Sequence, residues 1–244
     1  MKDLFSGHAA DYALYRPGYP KALYDWVFER VTCFDAAWDC GTGNGQVARV
    51  LAERFKQVEA TDISAAQMEQ APPAQNVHYL VCLAETTPFS PASFDLVTVG
   101  QALHWFDFEQ FNAEVKRVAK PGALLAVWTY ELVSISPEID TLIFDFYRNT
   151  LGTYWDKERK HVENRYADIP FPYGNIEKKV FKQTYEWTLD QVCRYLHTWS
   201  SVRKFEKINR INPVSELQQR LALLWGDSER KTVTFPVFTQ LGEI

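Results

Sequence analysis

Short apolar runs alternate along this chain with stretches of helical spacing. Residues 36–40, 58–61, 78–83, 94–99 and 124–128 are short, mostly apolar stretches of strand length. Residues 46–55, 65–70 and 108–119 carry apolar side chains at helical intervals, and Ser64 is placed to cap the second of these stretches. An earlier helix is predicted over residues 21–32, with Leu23, Trp26 and Val27 on its apolar face and Tyr19-Pro20 as its entry. Strands spaced by short helices predict an α/β fold, a parallel sheet covered by helices on both faces. In such sheets a ligand sits beyond the carboxyl ends of the strands, where the strand order reverses. Asp39, Asp62, Ala84 and Gln101 all fall at or just after predicted strand ends. The pattern changes after Trp128. Residues 131–175 are rich in aromatics and charges, and 178–187 alternate as a strand does. Residues 189–202 and 215–225 have helical spacing, and 232–241 read as a final strand.

The turn between the first strand and its helix reads Asp39-Cys-Gly41-Thr-Gly43-Asn-Gly45. Glycine lets a backbone turn tightly and approach a ligand, and the N–H groups of the following helix are expected to face that ligand. A dinucleotide loop reads G-x-G-x-x-G; here the third glycine comes one residue early. A carboxylate at Asp39 repels a pyrophosphate but suits an ammonium group, directly or through water. Asp62 stands nineteen residues after Gly43, where an acidic residue accepts hydrogen bonds from ribose hydroxyls. A ribose, no phosphate and a cationic amino-acid end describe S-adenosylmethionine. A nicotinamide dinucleotide fits the same loop less well.

Asp39-x-Gly41-x-Gly43-x-Gly45 with Asp62 resembles the cofactor motif of class I S-adenosylmethionine-dependent methyltransferases. Ala84-Glu85-Thr-Thr-Pro88-Phe89 is similar to the segment near the adenine in that family. Residues 93–106, ending in Gln101-Ala-Leu-His104-Trp105-Phe106, resemble its fourth-strand segment, and Lys120-Pro-Gly its turn into the fifth. Tyr12-x-x-Tyr15-Arg16-Pro17 resembles the branch that includes trans-aconitate methyltransferase-like enzymes. The resemblance implies a Rossmann-like, doubly wound seven-stranded sheet, mostly parallel with an antiparallel last strand and a helical lid insertion. It implies one domain over 1–244, an N-terminal helical cap at 1–32 and a substrate or lid region at 131–225. It assigns Tyr12, Arg16, Asp39, Gly41, Gly43, Gly45, Asp62, Ala84, Glu85 and Gln101 to the cofactor.

Composition narrows the partners. A net charge of −5 disfavours broad nucleic-acid binding. No apolar run reaches the length of a membrane span, and residues 1–8 lack the apolar core of a signal peptide. Cys33, Cys40, Cys82 and Cys193 are scattered without metal-ligand spacing, which points to reduced thiols and a cytoplasmic location. The expected state is a monomer or homodimer acting on a small molecule, without metal, membrane or nucleic acid.

On the acceptor side the candidates are Tyr15, His104, Trp105 and Arg203. Phe5, Tyr12 and Tyr15 could lay an aromatic face on a sulfonium. Arg16 suits a carboxylate, either the donor's own or a substrate's. His104 is the candidate catalytic residue as a proton acceptor, with loop orientation and an anion contact as equal alternatives. A carboxylate acceptor needs no base, being ionised already near neutral pH. The expected activity is methyl transfer to oxygen or a carboxylate; a non-catalytic cofactor-binding sensor or scaffold is the alternative.

Overall fold

The structure, a computed structural model, describes residues 15–244. Helix α1 spans Lys21–Phe28, followed by β1 Ala36–Cys40, α2 Gln46–Leu51, β2 Gln57–Asp62, α3 Ala65–Met68 and β3 Val77–Val81. Then come β4 Phe94–Gly100, α4 Phe108–Val118, β5 Ala119–Tyr130 and α5 Pro137–Asp145. The remaining elements are α6 Arg159–Glu163, β6 Gly174–Trp187, α7 Leu189–His197, α8 Ser200–Asn209, α9 Pro213–Trp225 and β7 Lys231–Glu243. The seven strands form one sheet in the order β3-β2-β1-β4-β5-β7-β6. Strands β1 to β5 are parallel, and β7 runs antiparallel to both β5 and β6. The Rossmann-like α/β reading therefore holds.

Alternation along each central strand builds two cores. Ala37, Val58 and Leu96 pack with Leu23 and Val27 of α1 and with Val47 and Leu51 of α2. Their neighbours Trp38, Val97 and Val99 pack on the other face with Phe111 and Val115 of α4. Burial on both faces is why β1 and β4 are mostly apolar without strict alternation. Strand order reverses between β1 and β4, opening a crevice beyond their carboxyl ends.

Several boundaries differ from the sequence reading, three of them for a clear local reason. The helix expected to reach residue 55 stops at Leu51, and tight turns over 52–55 carry Phe55 into the core. The predicted helix 189–202 is two helices. The Thr198 hydroxyl donates back to the Tyr195 carbonyl at 2.6 Å, and Trp199 then takes an extended backbone before α8 starts. Strand β5 is longer than expected because it pairs with β4 on one side and β7 on the other. The strand expected over 178–187 forms within the partly helical segment 131–225 as β6, which joins the sheet.

Candidate functional site

A cavity opens in the crevice beyond β1, β2 and β4. Among the sequence-predicted residues, Arg16, Asp39, Gly41, Gly43, Asp62, Gln101, His104 and Trp105 all border it. Gly45 lies just beyond as the N-cap of α2. Ala84 is buried, and Glu85 accepts the Asp107 N–H at 2.9 Å; neither borders the cavity. Tyr15 accepts a hydrogen bond from Arg194 at 3.2 Å, and Arg203 of α8 faces Glu206 at 3.5 Å; these two also lie off its walls. Phe5 and Tyr12 fall outside the described residues.

The glycine loop is a left-handed turn, with φ of 69° at Gly41, 56° at Gly43 and 76° at Gly45. Its amides do not form the open nest that a phosphate requires. The Gly41 and Thr42 N–H groups donate to the Thr61 carbonyl at 2.8 and 2.9 Å, and Gly45 N–H donates to Thr42 at 3.0 Å. Gly43 N–H donates to Asp62 at 2.9 Å. One amide of the following helix, expected to face the ligand, turns inward instead: Ala48 N–H donates to Asp39 at 3.1 Å. With those donors consumed by the protein, the loop presents backbone surface and carboxylates rather than an anion cradle.

Asp39 holds the loop from behind. It is 1% exposed and accepts from Thr42 Oγ1 at 2.5 Å and Thr98 Oγ1 at 2.9 Å as well as from Ala48. Burial raises its pKa to about 6, against the three hydrogen bonds that favour the anion. Asp62 closes β2, and its second oxygen accepts the Ser64 N–H at 2.9 Å, fixing the turn into α3. Gln101 has φ of 57°, a conformation rare for a side-chain-bearing residue. Its amide oxygen takes the Thr129 hydroxyl at 2.9 Å and the Tyr130 N–H at 2.8 Å, which ties this turn to β5. Arg16 reaches over the opening, donating to the Tyr130 hydroxyl at 2.7 Å and the Thr198 carbonyl at 3.0 Å.

His104 is buried beside the cavity, its Nδ1 2.9 Å from the Tyr166 hydroxyl. Burial lowers its pKa to about 3, and the charges of Arg159 and His161 add to the effect. The ring is therefore neutral at physiological pH. Tyr166 reaches it from a turn in which Arg165 and Tyr166 both have positive φ, 54° and 60°. Backbone strain of that kind is held only where surrounding structure fixes it.

Sequence reading did not find the far wall. Trp155, Asp156, Arg159, Tyr195, Trp199 and Ser200 border the cavity from the segment after β5. The helix of α5 widens into a π-turn over Phe146–Thr150, closed by Leu151 N–H to Phe146 O at 3.0 Å. That turn sets Tyr147 against Trp155, ring centroids 4.7 Å apart.

Away from the cavity, Cys33, Asp35 and Asp95 come together in space although the cysteines are scattered in sequence. Lys56 pairs with Asp35 at 2.7 Å and Lys120 with Asp95 at 2.8 Å, so ammonium groups already balance this cluster. Among the described residues no helix is long and apolar enough to cross a membrane.

Comparison with known proteins gives consistent matches. A family model described as a methyltransferase domain matches residues 38–127. A protein of Dictyostelium discoideum named as a methyltransferase is 31% identical, over 99% of this chain and 95% of its own length. A solved structure named as a type II methyltransferase from Anaeromyxobacter dehalogenans is 39% identical, with a TM-score of 0.85 over 94% of this chain and 98% of that one. The malonyl-[acyl-carrier protein] O-methyltransferase of Salmonella typhimurium is 34% identical over 39% of each chain.

Proposed function

The chain belongs to the class I S-adenosylmethionine-dependent methyltransferases, and from that membership we propose that it methylates a small molecule on a carboxylate oxygen. The cavity chemistry fits the family's donor. Two carboxylates stand at the glycine loop, and the loop amides are already engaged, which suits a cationic nucleoside and not a pyrophosphate. Asp62 would take the ribose, the loop and Arg16 the amino-acid end, with residues of the segment after β5 as the covering lid. S-adenosylmethionine, when bound, supplies a methyl group on a positively charged sulfur. Transfer of that methyl to an acceptor oxygen would leave the sulfur a neutral thioether, with Asp62, the loop and Arg16 holding the donor in place.

The observation that carries the acceptor assignment is His104. An alcohol must give up a proton on methylation, and an efficient base has a pKa near the working pH. His104, the histidine at the cavity wall, is buried, neutral and far below that range. A carboxylate acceptor gives up no proton. An O-methyltransferase among the relatives is consistent, although its match covers only 39% of this chain. The test is a metabolite screen with the purified protein and deuterated S-adenosylmethionine, read by mass. Carboxylic methyl esters are expected; methylated alcohols or amines alone would refute the assignment. His104→Asn is expected to keep kcat within a few-fold, because a true general base contributes roughly a hundredfold or more.

A pH effect also follows from Asp39. Its carboxylate loses its proton as pH rises through about 6, and the anion favours a cationic ligand close by. Affinity for S-adenosylmethionine is therefore expected to rise through that range and level off above it. Calorimetry across pH checks this, and Asp39→Asn should flatten the profile. A profile that stays unchanged in the variant would remove Asp39 as the titrating group.

A further inference from the structure

A second cleft of about 360 Å³ adjoins the cofactor cavity, and Arg159 borders both. Leu132, Val162 and the ring of Tyr147 line it, and Phe144, 51% exposed, stands at its mouth. Two glutamates border it and both are engaged. Tyr147 donates to Glu163 at 2.5 Å, and Arg165 pairs with Glu131 at 2.5 Å. The two arginines of the cleft are balanced differently. Arg148 lies over the Phe144 ring at 5.4 Å, and Arg159 lies over Trp155 at 4.9 Å and Tyr147 at 5.4 Å. Among the described residues neither enters an ion pair.

The Arg159 guanidinium is fixed in place. Its Nε donates to the Tyr147 hydroxyl at 3.0 Å, which leaves the terminal nitrogens as the fork for a ligand. A planar fork held on aromatic faces recognises a carboxylate with little ordering cost. Asp156, which also borders the cofactor cavity, pairs with Lys204 at 2.5 Å. The cleft thus offers a cation shared with the cofactor cavity and an apolar stretch of Leu132, Phe144 and Val162 beside its engaged glutamates.

We propose that this cleft binds the body of the acceptor, an amphiphilic carboxylate whose head sits on Arg159 and whose apolar arm runs along Leu132 and Val162 to Phe144. One carboxylate oxygen rests on the guanidinium, and the other is left on the cofactor side for attack. The inference rests on the carboxylate reading given above and extends it to the shape of the acceptor.

The test is calorimetric titration of butanoate, hexanoate and octanoate into the full-length protein saturated with S-adenosylhomocysteine. Affinity should rise with chain length, by at least twofold per methylene, against about fourfold for complete burial. Arg159→Met should weaken all three at least tenfold, with Arg159→Lys between it and the parent. Leu132→Trp, which fills the cleft, and Phe144→Ser, at an exposed position that tolerates change, should each flatten the chain-length dependence. S-adenosylhomocysteine affinity should stay within twofold for Leu132→Trp and Phe144→Ser, whose residues do not border the cofactor cavity. A flat dependence in the parent, an unchanged one in both cleft variants, or undiminished binding by Arg159→Met overturns the proposal. The two readings fail separately. Binding as described with no ester formed sinks carboxylate methylation and keeps the cleft; esters formed on short and long acids alike do the reverse.

Discussion

Gly41→Ala is expected to lower the melting temperature by about 5–15 °C and to weaken cofactor binding at least tenfold. The backbone there is left-handed, φ 69°, and a Cβ would sit 2.5 Å from that of Ala102 and 3.3 Å from the Phe106 ring. A left-handed alanine costs roughly 1–2 kcal/mol, and overpacking a tight contact roughly 1–3 more. For a chain of this size each kcal/mol shifts the melting point by about 2–4 °C. Ala102 cannot swing aside as a long side chain could, so the strain passes into the turn that carries Gln101 and His104 to the cavity. Gly122→Ala is the control. It has φ of 77° but no atom within 4 Å of the added carbon, so only the conformational term of about 1–2 kcal/mol applies. Scanning calorimetry and cofactor titration on both variants decide the matter. Equal losses at the two glycines would show that the close contact at Gly41 is of no consequence.

Asp62→Ala is expected to reduce S-adenosylhomocysteine affinity at least tenfold, about 1.4 kcal/mol. The carboxylate joins two parts of the site, accepting Gly43 N–H from the glycine loop and Ser64 N–H from the turn into α3. The expected ribose hydroxyls would add to a carboxylate already held in place. Alanine removes the acceptor from both amides, so loop order and ligand contact are lost together. Asp62→Asn is the intermediate case, because its one carbonyl oxygen can accept from only one of the two amides and its NH2 faces the other donor. Affinity that stays unchanged in the alanine variant removes Asp62 from the site.

The first half of the chain was legible because its signals are local. Gly41, Gly43 and Gly45 mark a turn that needs positive φ, and Ser64 sits where its hydroxyl accepts the Gln67 N–H. Apolar runs in β1 and β4 record burial on two faces. The acceptor side was not legible, because it is assembled across long separations. Arg16 meets Thr198, and His104 meets Tyr166. Arg159 is an ordinary charged residue in sequence; the π-turn that brings Tyr147 to it has no compositional mark. The break between α7 and α8 depends on one hydroxyl bonding back to Tyr195, in a stretch whose apolar spacing runs straight through. Burial also changes how residues that border the cavity are read. Asp39 reads as a ligand contact, yet its oxygens are mostly committed to the loop, and His104 reads equally as a base, an anion contact or a loop orienter until its surroundings are known.

Strand β7 lies between β5 and β6 although β6 precedes it in the chain. During synthesis, therefore, every residue named in the cavity leaves the ribosome before the strand that ties β6 to the sheet. Until residue 231 has emerged, β6 has no partner for either edge, and β5 shows an open edge of its own. Its lysines at 178, 179 and 182 put charge on that waiting strand, a known defence against pairing with the wrong chain. The order of assembly makes the last strand a latch: donor-binding elements can form early, while the sheet that supports α7 to α9 is sealed only at the end.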